Sequence, residues 1–200
     1  MDARSAFAVG LLSGFLFSIP PGPAGAIILT HSLRGATAQA ARCVAAFLVA
    51  DLLVVLGVLV GLRGTFGAAV VPWMKPAAGL FLLAFAVTAW RAAGRARGLG
   101  AASPGVVFRI TVLNPAVWVG ALSVLTVAST GIAGGAGGKI LFILGLELGA
   151  LGWFLGVIFG ARRIPAAWHG RIERGAAAVI GLTGLHFALG PLLALAAGGR

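Results

Sequence analysis

Acidic residues are scarce in this chain: Asp and Glu number four among 200 residues, against fifteen Lys and Arg. Charged residues of both signs make up 10% of the total, where a soluble domain carries about 25%. A chain this poor in charge cannot cover a water-facing surface, so a soluble globular domain is excluded. Cysteine occurs once, at Cys43. It permits no internal disulfide and supplies no Cys-rich cluster, so no metal and no other cofactor is expected. Tyrosine is absent, and an aromatic belt at a membrane surface must then come from Trp. Neither His-Glu-x-x-His nor Gly-x-Ser-x-Gly occurs, and no enzyme is expected.

What is present is apolar: 60% of residues are hydrophobic and the mean hydropathy is +1.08. Apolar runs cover 6–30, 44–62, 77–90, 106–128, 140–160 and 176–197. Runs near the ~20 residues needed to cross a bilayer, repeated along a chain, predict an all-α polytopic membrane protein. The expectation is six transmembrane helices in one integral membrane domain, 1–200. The net charge of +11 does not imply nucleic acid, because the Lys and Arg sit between the apolar runs. There they set topology and hold lipid headgroups, so the lipid bilayer is an expected partner. Trp73, Trp90 and Trp168 lie near run ends, as belt residues should. The alternative for the N-terminus is a cleaved signal peptide with its small-residue site at Ala24-Gly25-Ala26. Cleavage there would leave a purposeless stub, 27–30.

Ten cations lie on one side of the alternating connections: Arg34, Arg42, Arg91, Arg95, Arg97, Arg109, Arg162, Arg163, Arg171 and Arg174. Five lie on the other: Arg4, Arg63, Lys75, Lys139 and Arg200. The excess places the first set in the cytoplasm and the C-terminus outside. The expected home is the bacterial cytoplasmic (inner) membrane. The N-terminus is also outside if the first run crosses; it is inside if that run dips in and returns.

The first run is interrupted by "SIPPGPAGA" (18–26), with three prolines and two glycines between Pro20 and Gly25. Proline removes a backbone donor and clashes with the preceding turn. A freed carbonyl facing lipid costs several kcal/mol, so the break must face protein or water. The fourth run carries a second break at Asn114-Pro115. Overlaying the halves puts Pro23 on Pro115, Ala24 on Ala116, and Asp51 opposite Glu147. Each half holds three runs, an odd number, so the copies are expected as inverted repeats, about 1–98 and 99–200. Inverted repeats with a broken helix in each are a transporter signature, with the site near the midplane. The positive end of a half-helix can hold a carboxylate, and bare carbonyls can hold an ammonium or a cation. The candidate site is therefore Pro21, Gly22, Pro23, Asn114 and Pro115, together with the two acids inside apolar runs, Asp51 and Glu147. A charged carboxylate at that depth must face the bundle interior, bind a cation or take up a proton. Asp2 and Glu173 are expected at the water.

In the fifth run Gly145, Gly149, Gly152, Gly156 and Gly160 form one stripe, which lets a neighbouring helix approach closely. With Glu147 on the opposite face, this helix should be shielded on both sides and central. Ala46, Ala50, Gly57 and Gly61 make a similar stripe in the second run. Such stripes allow a homodimer without requiring one. His186 is expected as a hydrogen-bonded core histidine with Thr183 as its partner, a proton relay being the sharper alternative. His31 is expected at the membrane surface. Trp118 and Trp153 are expected to pack, or else to line a cavity. Arg109 should reach the headgroups, and 162–174 should lie along the cytoplasmic face.

The stretch "GFLFSIPPGPAGAIILTHSLRGA" (14–36), the Asp51 segment and "FRITVLNPAVWVG" (108–120) resemble the lysine exporter family, which includes threonine and homoserine efflux proteins. The resemblance covers nearly the whole chain in length, number of runs and motif spacing. It implies efflux of amino acids or similar small solutes, driven by a proton or ion gradient across the cytoplasmic membrane. Under it, Pro21, Gly22 and Pro23 take the first motif, Asp51 the second-helix aspartate, and Asn114 and Pro115 the fourth-helix motif. The chain has Ala24 and Gly25 where the family often has Asn or Gln, and Ala116 where it often has Lys. Fewer polar groups near the breaks point to a less polar amino acid or another solute. The alternative activity is export of metal or other inorganic ions.

Overall fold

The computed structural model describes residues 3–20, 22–59, 67–94, 102–131 and 135–198. Asp2, Pro21, Gly61, Arg63, Arg95, Arg97 and Arg200 lie outside the described residues. The described chain is all-helical. In order come α1 (Ala3–Ser18), α2 (Pro23–Leu33), α3 (Thr37–Gly57), α4 (Gly67–Ala92), α5 (Pro104–Leu113), α6 (Pro115–Gly131), α7 (Gly135–Ala161), a single 3-10 turn (Ala166–Trp168) and α8 (His169–Gly198).

Among the described residues three helices are long and apolar enough to cross a bilayer: Thr37–Gly57, Trp73–Ala92 and Ala136–Ala161. Two further pairs, α1 with α2 and α5 with α6, bend by 75° and 62° at their breaks. If each bent pair is one span, the number is five. Among the described residues the expected six is not reached by length and composition.

Both breaks fall where proline dictates. Gly22 is extended (φ −79°, ψ 179°) and Pro23 starts α2; a proline with no N–H fits the first turn of a helix without loss, whereas deeper it removes a hydrogen bond and kinks the helix. At the second break Asn114 leaves the helical region (φ −79°, ψ 109°) and Pro115 starts α6. The polar groups freed there are nearly all accounted for. Pro115 offers Thr111 O no donor, so Asn114 N takes that carbonyl at 3.3 Å. Asn114 Oδ1 accepts from Ala116 N at 3.0 Å. The carbonyl that Ala116 would have served, Val112 O, accepts from the indole Nε1 of Trp118 at 2.7 Å. This internal satisfaction lets a broken helix persist at membrane depth.

Small residues set the helix contacts. A Cβ on Gly10 or Gly14 of α1 would run into the carbonyls of Phe142 or Leu146 on α7. Gly145 and Gly149 return the contact against Phe7 O and Leu11 O. The two backbones touch, which only glycine allows. Gly79 of α4 and Gly184 of α8 make a second such crossing. The α7 stripe is used only halfway: Gly152, Gly156 and Gly160 are exposed and face open space. The helix is therefore shielded on both sides along only part of its length. In α3, Ala50 is buried and Gly57 lies under the Trp118 ring, where an added Cβ would come within 3.2 Å of it.

Four further polar expectations are corrected or settled. Glu173 is not at the water. It is buried, accepts from Gly94 N at 2.7 Å and pairs with Arg34 at 3.6 Å. His31 is buried within the protein: α2 is short and buried on nearly all sides, and His31 Nε2 lies 2.9 Å from Ala102 O. His186 is not in the core. It is exposed beside Phe187, while Thr183 donates to Val179 O. Arg109 is exposed, as are Trp73, Trp90 and Trp168, which suits a headgroup belt.

Candidate functional site

One cavity of about 350 Å³ opens between the broken helices. That is the low end of small-ligand sites, ~300–1,000 Å³. Its floor is the break itself: Ser18, Pro20, Gly22, Pro23, Ala24 and Gly25 all line it. Asn114 and Ala116 line it from the second break, so both proline motifs border one space. Pro115 is not among the lining residues, and Pro21 lies outside the described residues. Asp51 reaches the cavity from α3, between Phe47 and Val55 one turn to either side.

Glu147 does not. Its neighbours Leu146 and Ala150 face the cavity, and at roughly 100° per residue Glu147 is turned off that face. Both of its carboxylate oxygens are buried with no hydrogen-bond partner among the described residues. Asp51 on α3 thus lines the cavity and Glu147 on α7 is turned away from it, on two helices that pack against each other. Sequence reasoning placed them around one shared space. Helix register separates them.

The two breaks are also unequal. The first N–H groups of a helix have no carbonyl ahead of them within the helix. At α6 those groups are taken: Ala116 N by Asn114 Oδ1, and Val117 N by Asn114 O at 3.0 Å. At α2 the capping residue is Gly22, which has no side chain to offer. The N–H groups of Ala24 and Gly25 stand at that uncapped end, beside the cavity. The signal was present in the sequence, since Asn before Pro is a capping residue and Gly is a weak one.

The rest of the lining is mostly apolar. Leu82 of α4 and Ile180 and Phe187 of α8 close one wall. Thr111 and Thr183 are the polar lining residues that sequence reasoning did not place at the site. Thr111 donates to Val107 O at 2.9 Å and Thr183 to Val179 O at 3.0 Å. Trp118 and Trp153 are not lining residues. Trp153 meets Phe15 edge-on, 5.5 Å between centroids.

Long apolar helices and two proline-broken helix pairs, packed around a cavity that both breaks border, define a multi-pass helical membrane protein. The chain belongs to the LysE type translocator family, whose profile matches residues 15–194. Membership makes it a membrane translocator. No curated protein and no solved structure matches the chain.

Proposed function

We propose that this protein is a secondary exporter of amino acids or similar small solutes, driven by the proton gradient across the bacterial cytoplasmic membrane. The observation that carries the reading is the opposition, within one cavity, of the uncapped N-terminus of α2 and the Asp51 carboxylate. A zwitterion needs both. Its carboxylate is held by the N–H groups of Ala24 and Gly25 and by the positive helix end. Its ammonium is held by Asp51. Asn114 borders the substrate but uses its side-chain oxygen to cap α6.

Glu147 is the coupling group in this proposal. A buried ionised carboxylate with no partner is costly, and a bound proton removes that cost. Occupation of Asp51 by a cationic ammonium relieves the repulsion between the acids, which links substrate binding to the proton on Glu147.

The arrangement of helices supports six spans as two inverted repeats, α1–α4 and α5–α8. Exchanging the halves converts α1 against α7 into α5 against α3, and α2 against α8 into α6 against α4; all four contacts are present. The pairs α3 with α7 and α4 with α8 map onto themselves and are also in contact. One repeat rocking against the other would open the cavity first to the cytoplasm and then outside. Arg34, Gly94, Glu173 and Arg162 gather at one end of the bundle, Arg162 donating to Thr37 Oγ1. This supports a cytoplasmic face for that end and a C-terminus outside. The open glycines of α7 leave room for a second copy of the chain.

The test is metabolite profiling of the medium with and without overexpression, repeated with Asp51→Asn. Amino-acid release by the wild type should rise, and the variant should lose about tenfold or more of it. Normal export by Asp51→Asn would remove Asp51 from the mechanism. Metal resistance without amino-acid release would favour the ion-exporting alternative.

A further inference from the structure

Among the described residues Asp51 is the only charged group lining the cavity. We propose that the site selects amino acids with uncharged, largely apolar side chains and rejects those with cationic side chains. The inference rests on the exporter reading and narrows its substrate. A neutral amino acid carries one ammonium, and Asp51 answers it. A lysine carries a second, which must then sit against Leu82, Ile180 and Phe187. No second acid meets it there, because Glu147 lies behind the wall with its oxygens buried. The hydroxyl hydrogens of Ser18, Thr111 and Thr183 are each given to a carbonyl of their own helix. They leave lone pairs, which do not neutralise a charge. An unpaired buried cation is strongly penalised, so lysine should bind about 100-fold or more weakly than leucine.

The experiment is equilibrium binding of labelled leucine and labelled lysine to the full chain in liposomes. Leucine binding with lysine at least about 100-fold weaker is the expected result. Equal binding of the two overturns the selectivity and leaves the exporter reading standing. Binding of neither, with no flux of either, takes the exporter reading down as well. Thr183→Asp, which adds an acid at a lining position, should raise the lysine-to-leucine ratio. An unchanged ratio while leucine still binds overturns the proposal.

Glu173 supports a second, independent inference. It lies in the second turn of α8, 8% exposed. One carboxylate joins three elements: it accepts from Gly94 N after α4, pairs with Arg34 at the end of α2, and stands on α8. Buried α2 fills the space between the cavity and this end, and His31 fastens it to Ala102 before α5. Movement of α2 would open this end towards the cavity that α2 lines. We infer that Glu173 is a positioning residue, the latch that holds α2 closed. The latch is two-state, because a buried carboxylate stripped of its partners must either regain them or swing out to water.

Cys43 is the reporter. Its thiol is fully buried on α3 in a cluster with Ile27 and Ile28 of α2, Val107 of α5 and Phe154 of α7, so lifting α2 removes part of its cover and admits a small maleimide. Glu173→Gln keeps the size and the acceptor for Gly94 but loses the charge facing Arg34. The Cys43 labelling rate in the reconstituted protein should rise about tenfold, with no amino acid added. Gly145→Ala loosens α1 from α7, away from the latch, and should leave the rate unchanged. An unchanged rate in Glu173→Gln, or an equal rise in both variants, overturns the latch.

Discussion

Replacing Trp118 by Phe tests how the second break survives in the membrane. Pro115 leaves the α5 carbonyls without their usual donors, and Val112 O takes the Trp118 indole at 2.7 Å instead. Phe removes the donor and also the far edge of the indole, which covers Gly57. An unsatisfied buried carbonyl costs about 1–3 kcal/mol. For a chain of this length each kcal/mol lowers the melting midpoint by about 2–4 °C, so a fall of about 2–12 °C is expected. The matched control is Trp153→Phe. That ring is also half-buried but meets Phe15 edge-on, so its replacement loses packing and frees no carbonyl at a break. Thermal unfolding followed by circular dichroism in one detergent compares the two. The donor accounts for the difference between variants, about 1–3 kcal/mol. If Trp118→Phe melts no lower than Trp153→Phe, the accounting at the break is wrong.

Asn114→Ala removes the cap of α6 and should cost about 0.5–2 kcal/mol in the same melting assay, whereas Gly22→Ala, where an added Cβ meets nothing within 4 Å, should be nearly silent. Gly149→Ala drives a methyl into the Leu11 carbonyl and parts α1 from α7; its midpoint should fall further than that of Gly156→Ala, which faces open space. In liposomes, Glu147→Gln should still bind substrate yet lose acceleration by an imposed pH gradient. A variant as responsive as the wild type would exclude Glu147 from coupling. Collapsing the gradient with an uncoupler should halt accumulation outside wild-type cells, and export indifferent to it would exclude proton drive.

Much was legible before the structure because the bilayer imposes few choices. Apolar run lengths, the shortage of acids and the placement of Arg declare a multi-pass helical protein, and proline at 23 and 115 favours the first turn of a helix over its interior. The unequal breaks were half-legible, since Asn114 carries a capping side chain and Gly22 does not. Other positions depend on what a helix packs against, which run boundaries do not state. Glu173 reads as a water-facing acid until the turn after α4 turns back at Gly94 (φ +76°) and brings an N–H to it. His186 reads as a core residue until α8 presents Gly184 rather than His186 to α4. Composition and punctuation alone thus determined that this chain crosses the membrane with two interrupted helices and a pair of acids among them. Only tertiary structure decided that one acid opens into the cavity and the other is turned off it, because that depends on the rotation of α3 and α7 about their axes, and α7 is oriented by glycine contacts with α1, far away in the chain.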